Sequence, residues 1–400
     1  MARRFRMTVT ALAAAAAMVT LAGGAAHAAQ PVTAHAGTVI PARNGGCAVN
    51  SAARGTVYVV NWTGGVTPIP VCTNKPGKPI PVGDGPVAIA ITPDGRTAYV
   101  VNENSGTVTP IDTRTNKAGA PIKAPGATTI GITPDGRTAY VMGAAVTPID
   151  TRTNKAAAPI KVAAGRAIAF TPDSRTAYIV TGYAQGTVIP VSTRTGKAEP
   201  GIPVRSYPVA IAVTPDGRTV YVVSRSPVIN TSPGIVTPIS TRTGKAGAPI
   251  QVGSIPEYNQ SAITIMPNGR TAYVATASGV TPINLRTNKA GTPIPIAGGG
   301  RLLVLTPDAR TLYVDNPWRI TPVSTRTSTA GSSINAGDAP FNMAITKDGA
   351  TLYVVNFVRA GGTPLGSVTP VSTATNRPGE PIPVGVNPRP IAITPPRCHQ

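Results

Sequence analysis

Residues 87–123 read VAIAITPDGRTAYVVNENSGTVTPIDTRTNKAGAPIK. Four short runs stand out: VAIAIT from Val87, TAYVVN from Thr97, VTPID from Val108 and APIK from Ala120. Each is strand length, rich in Val, Ile or Tyr, and bounded by Gly, Pro, Asn or Asp, the residues that set turn conformations. The unit recurs along the chain. Tyr58, Tyr99, Tyr140, Tyr178, Tyr221, Tyr273, Tyr313 and Tyr353 share this context at intervals of 38 to 52 residues. Such a period marks an array in which each supersecondary unit buries its apolar face only by stacking on its neighbours.

Counting each run separately predicts the architecture. The VTPI-like run begins at Val66, Val108, Val146, Val188, Val236, Val280, Ile320 and Val368, eight copies. The IAIT-like run ends at Thr92, Thr133, Thr171, Thr214, Met266, Thr306, Thr346 and Thr394, again eight. No IAIT-like run precedes Tyr58, and no Tyr run follows Thr394, so the C-terminal run supplies what the first unit lacks. The expected fold is all-β: a β-propeller of eight four-stranded blades, with seven as the alternative, and one blade shared between the N- and C-terminal segments. Composition agrees, because 43 Pro and 42 Gly in 400 residues break long helices. With 42% hydrophobic and only 13% charged residues, the chain is not of the highly charged disordered class. The recurring TPDGRT reads as a β-turn between the first and second strands, which makes Asp94 and its equivalents turn formers rather than catalysts. Proline in the third strand predicts irregular pairing with the fourth.

TPDGRTAYVVN followed by GTVTPIDTRTNK resembles the repeat of the YVTN family of β-propellers, relatives of the lactonase-like propellers. The resemblance covers almost all of Tyr58 to Thr394. Only Tyr58, Tyr99 and Tyr353 keep the YVVN form. Propellers of this type usually have seven blades, so a count of eight departs from the family. The resemblance implies a fold and leaves a lactonase-like enzyme, with a carboxylate and amide metal site in the central channel, as the alternative function.

Catalytic groups are sparse. His27 falls in the N-terminal segment, and His35 and His399 lie near the two ends, so the propeller body has no histidine for a triad, a ligand or a general base. The Asp of PDG stands alone, without the alternating acids of a calcium loop. No metal or other cofactor is expected. Eight-bladed quinone-dependent dehydrogenases carry a tryptophan motif in nearly every blade, whereas this chain has only Trp62 and Trp318.

Two faces are expected. Loops joining second to third strands, and fourth strands to the next repeat, share one side because antiparallel order alternates direction. They carry the ligand-binding candidates Asn61, Asn102, Glu103, Asn104, Arg225, Glu257, Asp315, Arg319 and Asn356, with insertions from Ser224, Gly253 and Asn356 enlarging the same side. The other side carries Arg96, Arg137, Arg175, Arg218, Arg270 and Arg310. It also carries the pairs Arg114 with Lys117, Arg152 with Lys155, Arg194 with Lys197, Arg242 with Lys245, and Arg286 with Lys289.

The first 28 residues read as a secretory signal: Arg3, Arg4 and Arg6, then an apolar run from Ala11 to Leu21, then Ala26-His27-Ala28 as a small-x-small site. Residues 29–53 read as a flexible leader and 54–400 as a single propeller domain. Without the three arginines, 33 basic residues face 15 acidic ones. Export makes the three cysteines candidates for oxidation. A Cys47–Cys398 bridge would join the chain ends, with Cys72 as the alternative partner. The expectation is an exported, monomeric, non-catalytic module, extracellular or wall-associated, without a membrane span. It would bind an anionic cell-wall polymer or a surface protein. Nucleic acid is not expected, because the basic turns lack aromatic stacking platforms.

Overall fold

The protein, analysed as a computed structural model, is described for residues 55–162, 165–182, 184–205, 207–226, 232–256, 263–357 and 365–396. The signal, the leader, Cys47, Cys398 and Glu257 lie outside the described residues, as do parts of the three insertions.

Every Tyr run is a second strand, paired on one side with a first strand and on the other with a third. In the unit from Val87 these are Pro86–Ile91, Thr97–Asn102 and Thr107–Asp112, with Tyr99 opposite Ala90 and Pro110. The same register holds at Tyr58 opposite Ala392 and Pro68, and at Tyr353 opposite Ala344 and Pro370. The β-propeller fold is built from these antiparallel units. Among the described residues six sheets have four or five strands each, and a seventh has seven strands. Innermost strands follow one another around the ring: Pro86–Ile91 neighbours Thr129–Ile132, and the series runs on to Pro340–Ile345 and Ile382–Ile393, which returns to Pro86–Ile91.

Ile382–Ile393 explains the larger sheet. Its beginning pairs with Leu365–Ser372, as in Val368 opposite Ile382, and its end pairs with Thr56–Thr63, as in Val59 opposite Ile391. One strand therefore ends the Tyr353 unit and begins the Tyr58 unit. This is the closure expected from the unequal ends of the repeat series.

The fourth strand is broken opposite the proline, as expected. Thr107–Asp112 pairs with Lys117–Ala118 and again with Ile122–Lys123, with an interruption between them. The reason lies in the strand geometry. The Pro110 carbonyl accepts from Gly119 N at 2.7 Å, so the Pro110 nitrogen, on the same side of the strand, also faces outward. The missing N–H therefore costs the ladder to the Tyr strand nothing and interrupts only the outer one. Gly119 fits because a Cβ there would stand 3.2 Å from the Pro110 ring.

Tyrosine holds neighbouring units together. Its ring is buried, and its hydroxyl reaches the third-to-fourth turn of the next unit. Tyr58 donates to Asn116 Oδ1 at 2.6 Å, Tyr99 to Asn154 Oδ1 at 2.5 Å, and Tyr221 to Asn288 Oδ1 at 2.6 Å. Tyr313 meets Asn376 at 2.7 Å, and Tyr353 meets Asn74 at 2.6 Å, which carries the clamp across the closure. Each of these asparagines has a positive φ of 53° to 56°, the left-handed conformation that Asn tolerates better than most residues. Where the turn has Gly196 or Gly244 the amide partner is absent, and Tyr140 reaches the Thr193 carbonyl at 3.5 Å instead.

Candidate functional site

The basic side is assembled from two turn types that touch in each unit. Thr113 N donates to Arg96 O, Thr151 N to Arg137 O, Thr193 N to Arg175 O, and Thr241 N to Arg218 O, each at 3.0 Å. This contact places the TPDGRT turns and the TRTNK-like turns on one face. Within TPDGRT the aspartate builds the turn: Asp94 Oδ1 accepts from Thr92 Oγ1 at 2.6 Å and from Arg96 N at 2.9 Å. Analogous bonds hold Asp308 well below the usual carboxylate range, chiefly the Thr306 hydroxyl and then the Arg310 amide.

All ten of Arg114, Lys117, Arg152, Lys155, Arg194, Lys197, Arg242, Lys245, Arg286 and Lys289 are exposed. Their local acids are unevenly distributed. Asp112 and Asp150 start the turns carrying Arg114 and Arg152, but Ser192, Ser240 and Asn284 stand at the same position in later units. Lys197 has Glu199 at 3.8 Å, whereas among the described residues Arg242, Lys245, Arg286 and Lys289 have no carboxylate within 4.0 Å. Arg96, Arg137, Arg175, Arg218 and Arg310 stand 3.8 to 4.0 Å from the Asp of their own turn, with 84 to 87% of each arginine side chain exposed. Exposed pairs of this kind are worth only about 0–1 kcal/mol and leave the arginines available. Cys72 is exposed with a free thiol and occupies the position of Arg114 in the turn of the first unit.

The loop-rich side is equally defined. Glu103 N donates to Gly85 O at 2.8 Å, Ala277 N to Ser254 O at 2.7 Å, and Arg225 N to Tyr207 O at 3.1 Å, so second-to-third loops lie on the connectors between units. Several candidates sit behind this surface rather than on it. Asn61, Asn102 and Asn356 are fully buried at the ends of their strands. Their amides donate to Thr67, Thr109 and Thr369 hydroxyls at 2.9 to 3.0 Å. Each packs on a glycine where a Cβ would collide: Gly385, Gly83 and Gly337 respectively. These asparagines seat the connector between units.

Asp315 is also buried, and Arg301 Nη2 lies 3.1 Å from both of its oxygens while donating to the Pro340 carbonyl at 2.6 Å. Burial pushes the Asp315 carboxyl up to about 7 against the pull of Arg301. Arg319 is exposed, next to Trp318, which is 71% exposed. Arg225 stacks over Tyr207 at 5.0 Å, and Asn104 is exposed. These positions are spread over several units and do not form one cluster.

A carboxylate and amide metal centre does not fit this arrangement. Asp315 is engaged by Arg301, and the asparagines whose Nδ2 groups donate to threonine hydroxyls keep buried Oδ1 atoms without a partner but belong to three different units, with no group of three His, Cys, Asp or Glu able to hold a metal beside them among the described residues. Sequence reasoning passed over the cleft beside Trp62, which draws on three separate segments: the end of the Tyr58 strand with its turn, the connector at Asp84 and the loop at Asn104.

No family model and no curated protein sequence matches the chain. Solved structures do resemble it. Kuenenia stuttgartiensis hydrazine synthase matches with a TM-score of 0.58 and 20% identity, over 74% of this chain and 97% of that one. The dihydro-heme d1 dehydrogenase NirN in complex with DHE matches with a TM-score of 0.67 and 17% identity, over 86% and 76%. A eukaryotic initiation factor matches with a TM-score of 0.57 and 10% identity, over 86% and 99%. At these identities the likeness is one of fold. Among the described residues no helix is long and apolar enough to cross a membrane.

Proposed function

We propose that the chain is an exported, non-catalytic propeller of the YVTN type that binds an anionic cell-wall polymer through its basic face. The observation that carries this reading is the set of ten exposed cations repeated on one side, each in a turn fixed to the backbone of its own unit. Single exposed contacts are weak, at about 0–1 kcal/mol, but a polyanion lying across the ring meets many of them at once. The attraction is screened beyond roughly 8 Å at physiological ionic strength, so binding falls steeply as salt rises.

Two sets of glutamine substitutions test the reading. Among the described residues Arg242, Lys245, Arg286 and Lys289 have no carboxylate within 4.0 Å, whereas Arg114, Lys117, Arg152 and Lys155 lie in turns that begin with an aspartate. Retention on teichoic-acid-bearing wall is expected to fall in both sets, more in the first, and to fall for the unaltered chain as salt rises. Retention indifferent to salt and to both sets would contradict the proposal.

A further inference from the structure

On the face opposite the basic turns, a cleft of about 450 Å³ opens between the last residues of the Tyr58 strand with the turn after them and the connector leading to Pro86. This volume falls within the roughly 300–1,000 Å³ typical of small-molecule sites. Four polar side chains line it, Trp62, Thr63, Asp84 and Asn104. Trp62 is held by Arg389, whose guanidinium lies 4.8 Å from the indole centroid, and by a hydrophobic cluster that includes Val87 and Val101. Its indole N–H has no partner among the described residues, and neither the Asp84 carboxylate nor the Asn104 carboxamide is engaged by them. Pro79, Pro81 and Pro86 form apolar walls that lack backbone donors.

The cleft is held in shape from behind. Asp84 N donates to Ser105 Oγ at 2.6 Å and Glu103 N donates to Gly85 O at 2.8 Å, which ties the two lips together. Gly85, at a φ of 61°, allows the close approach, because a Cβ there would lie 2.6 Å from Asn104 Cγ. Val66 and Ile80 exchange two backbone bonds at 3.0 and 2.8 Å beneath the third lip. A rigid site of this kind loses little conformational entropy on binding.

We propose that this cleft binds one neutral sugar ring. A donor at Trp62, an acceptor at Asp84 and an amide offering both at Asn104 match a ring of hydroxyls, each of which is donor and acceptor. The proline walls match the apolar C–H faces of such a ring. An anion is disfavoured, because no Lys or Arg lines the cleft and Asp84 does. An extended peptide is disfavoured because the strand residues in the lining, Trp62, Thr63, Gly65 and Pro86, belong to strands that are already paired rather than to an open edge. The site does not depend on the polyanion reading of the opposite face.

The test uses the full chain carrying Trp318→Phe, which leaves Trp62 as the sole tryptophan reporter. Its emission is titrated with N-acetylglucosamine and with maltose, with inorganic phosphate and a proline-rich peptide as comparisons. The expected result is a saturable change with at least one sugar, unaffected by added salt. Asp84→Ala and Asn104→Ala, both at exposed positions, are each expected to weaken it about tenfold, the usual scale for one lost hydrogen bond to a charged or polar group. No saturable change with either sugar up to about 50 mM, well above a millimolar dissociation constant, would overturn the proposal. So would a response unchanged in both variants, or one that follows phosphate or the peptide instead.

Discussion

Tyr99 and Asn154 show how one pair of side chains serves both fold and face. The tyrosine hydroxyl sits 2.5 Å from Asn154 Oδ1, and Asn154 adopts a φ of 56° in the turn that carries Arg152 and Lys155. Tyr99→Phe keeps the buried ring and loses the bond, so stability is expected to fall by about 1 kcal/mol in denaturant titration. Asn154→Gly removes the same bond but accepts the left-handed backbone, as Gly196 and Gly244 do in other units. Asn154→Ala adds backbone strain of about 1 kcal/mol and is expected to be the more damaging. Equal effects of the glycine and alanine variants would contradict this assignment. The role of these asparagines was not legible in the sequence, because the clamp joins residues of neighbouring units about 55 positions apart. Asn61, Asn102 and Asn356 misled in the opposite sense: a strand-end asparagine reads as loop-facing, and only packing against Gly385, Gly83 and Gly337 reveals its burial.

Among the elements, the repeated Tyr strand gives the ring a shared response to alkali. Burial pushes the Tyr140, Tyr221 and Tyr313 hydroxyls up to about 12, with Asp135, Asp216 and Asp308 adding to the shift. In the unfolded chain these groups ionise near about 10. A folded value above the unfolded one means the stabilising contribution is complete below pH 10 and is lost as pH rises toward 12. The Tm is therefore expected to hold up to about pH 10 and to fall through that window, and an unchanged Tm across it would refute the linkage. Strand order, turn chemistry and the split fourth strand were all readable in the sequence, since each rests on local signals such as Asp94 in its turn and Pro110 in its strand. The Trp62 cleft was not, because its three segments meet only after the closing strand brings Arg389 over the indole.

For the whole molecule, closure and the basic face are the two consequences of repetition. Ile382–Ile393 is the sole partner of the inner edge of Thr56–Thr63 among the described residues, and Ile391 packs in one cluster with Val57, Val59 and Tyr353. A chain ending at Glu380 exposes that edge and cluster, so it is expected to aggregate or to lose its cooperative transition, given a domain stability of about 5–15 kcal/mol. A truncated chain with an unaltered Tm would show that the ring does not need this strand. The basic face can be tested in the intact molecule by lysine acetylation with and without bound teichoic acid. Lys117, Lys155, Lys197, Lys245 and Lys289 lie in the basic turns, while Lys123 and Lys161 are exposed toward the loop-rich end of the outer strands. The account predicts that the polymer protects the first five and leaves Lys123 and Lys161 reactive; protection of Lys123 and Lys161 with the turn lysines still reactive would contradict it.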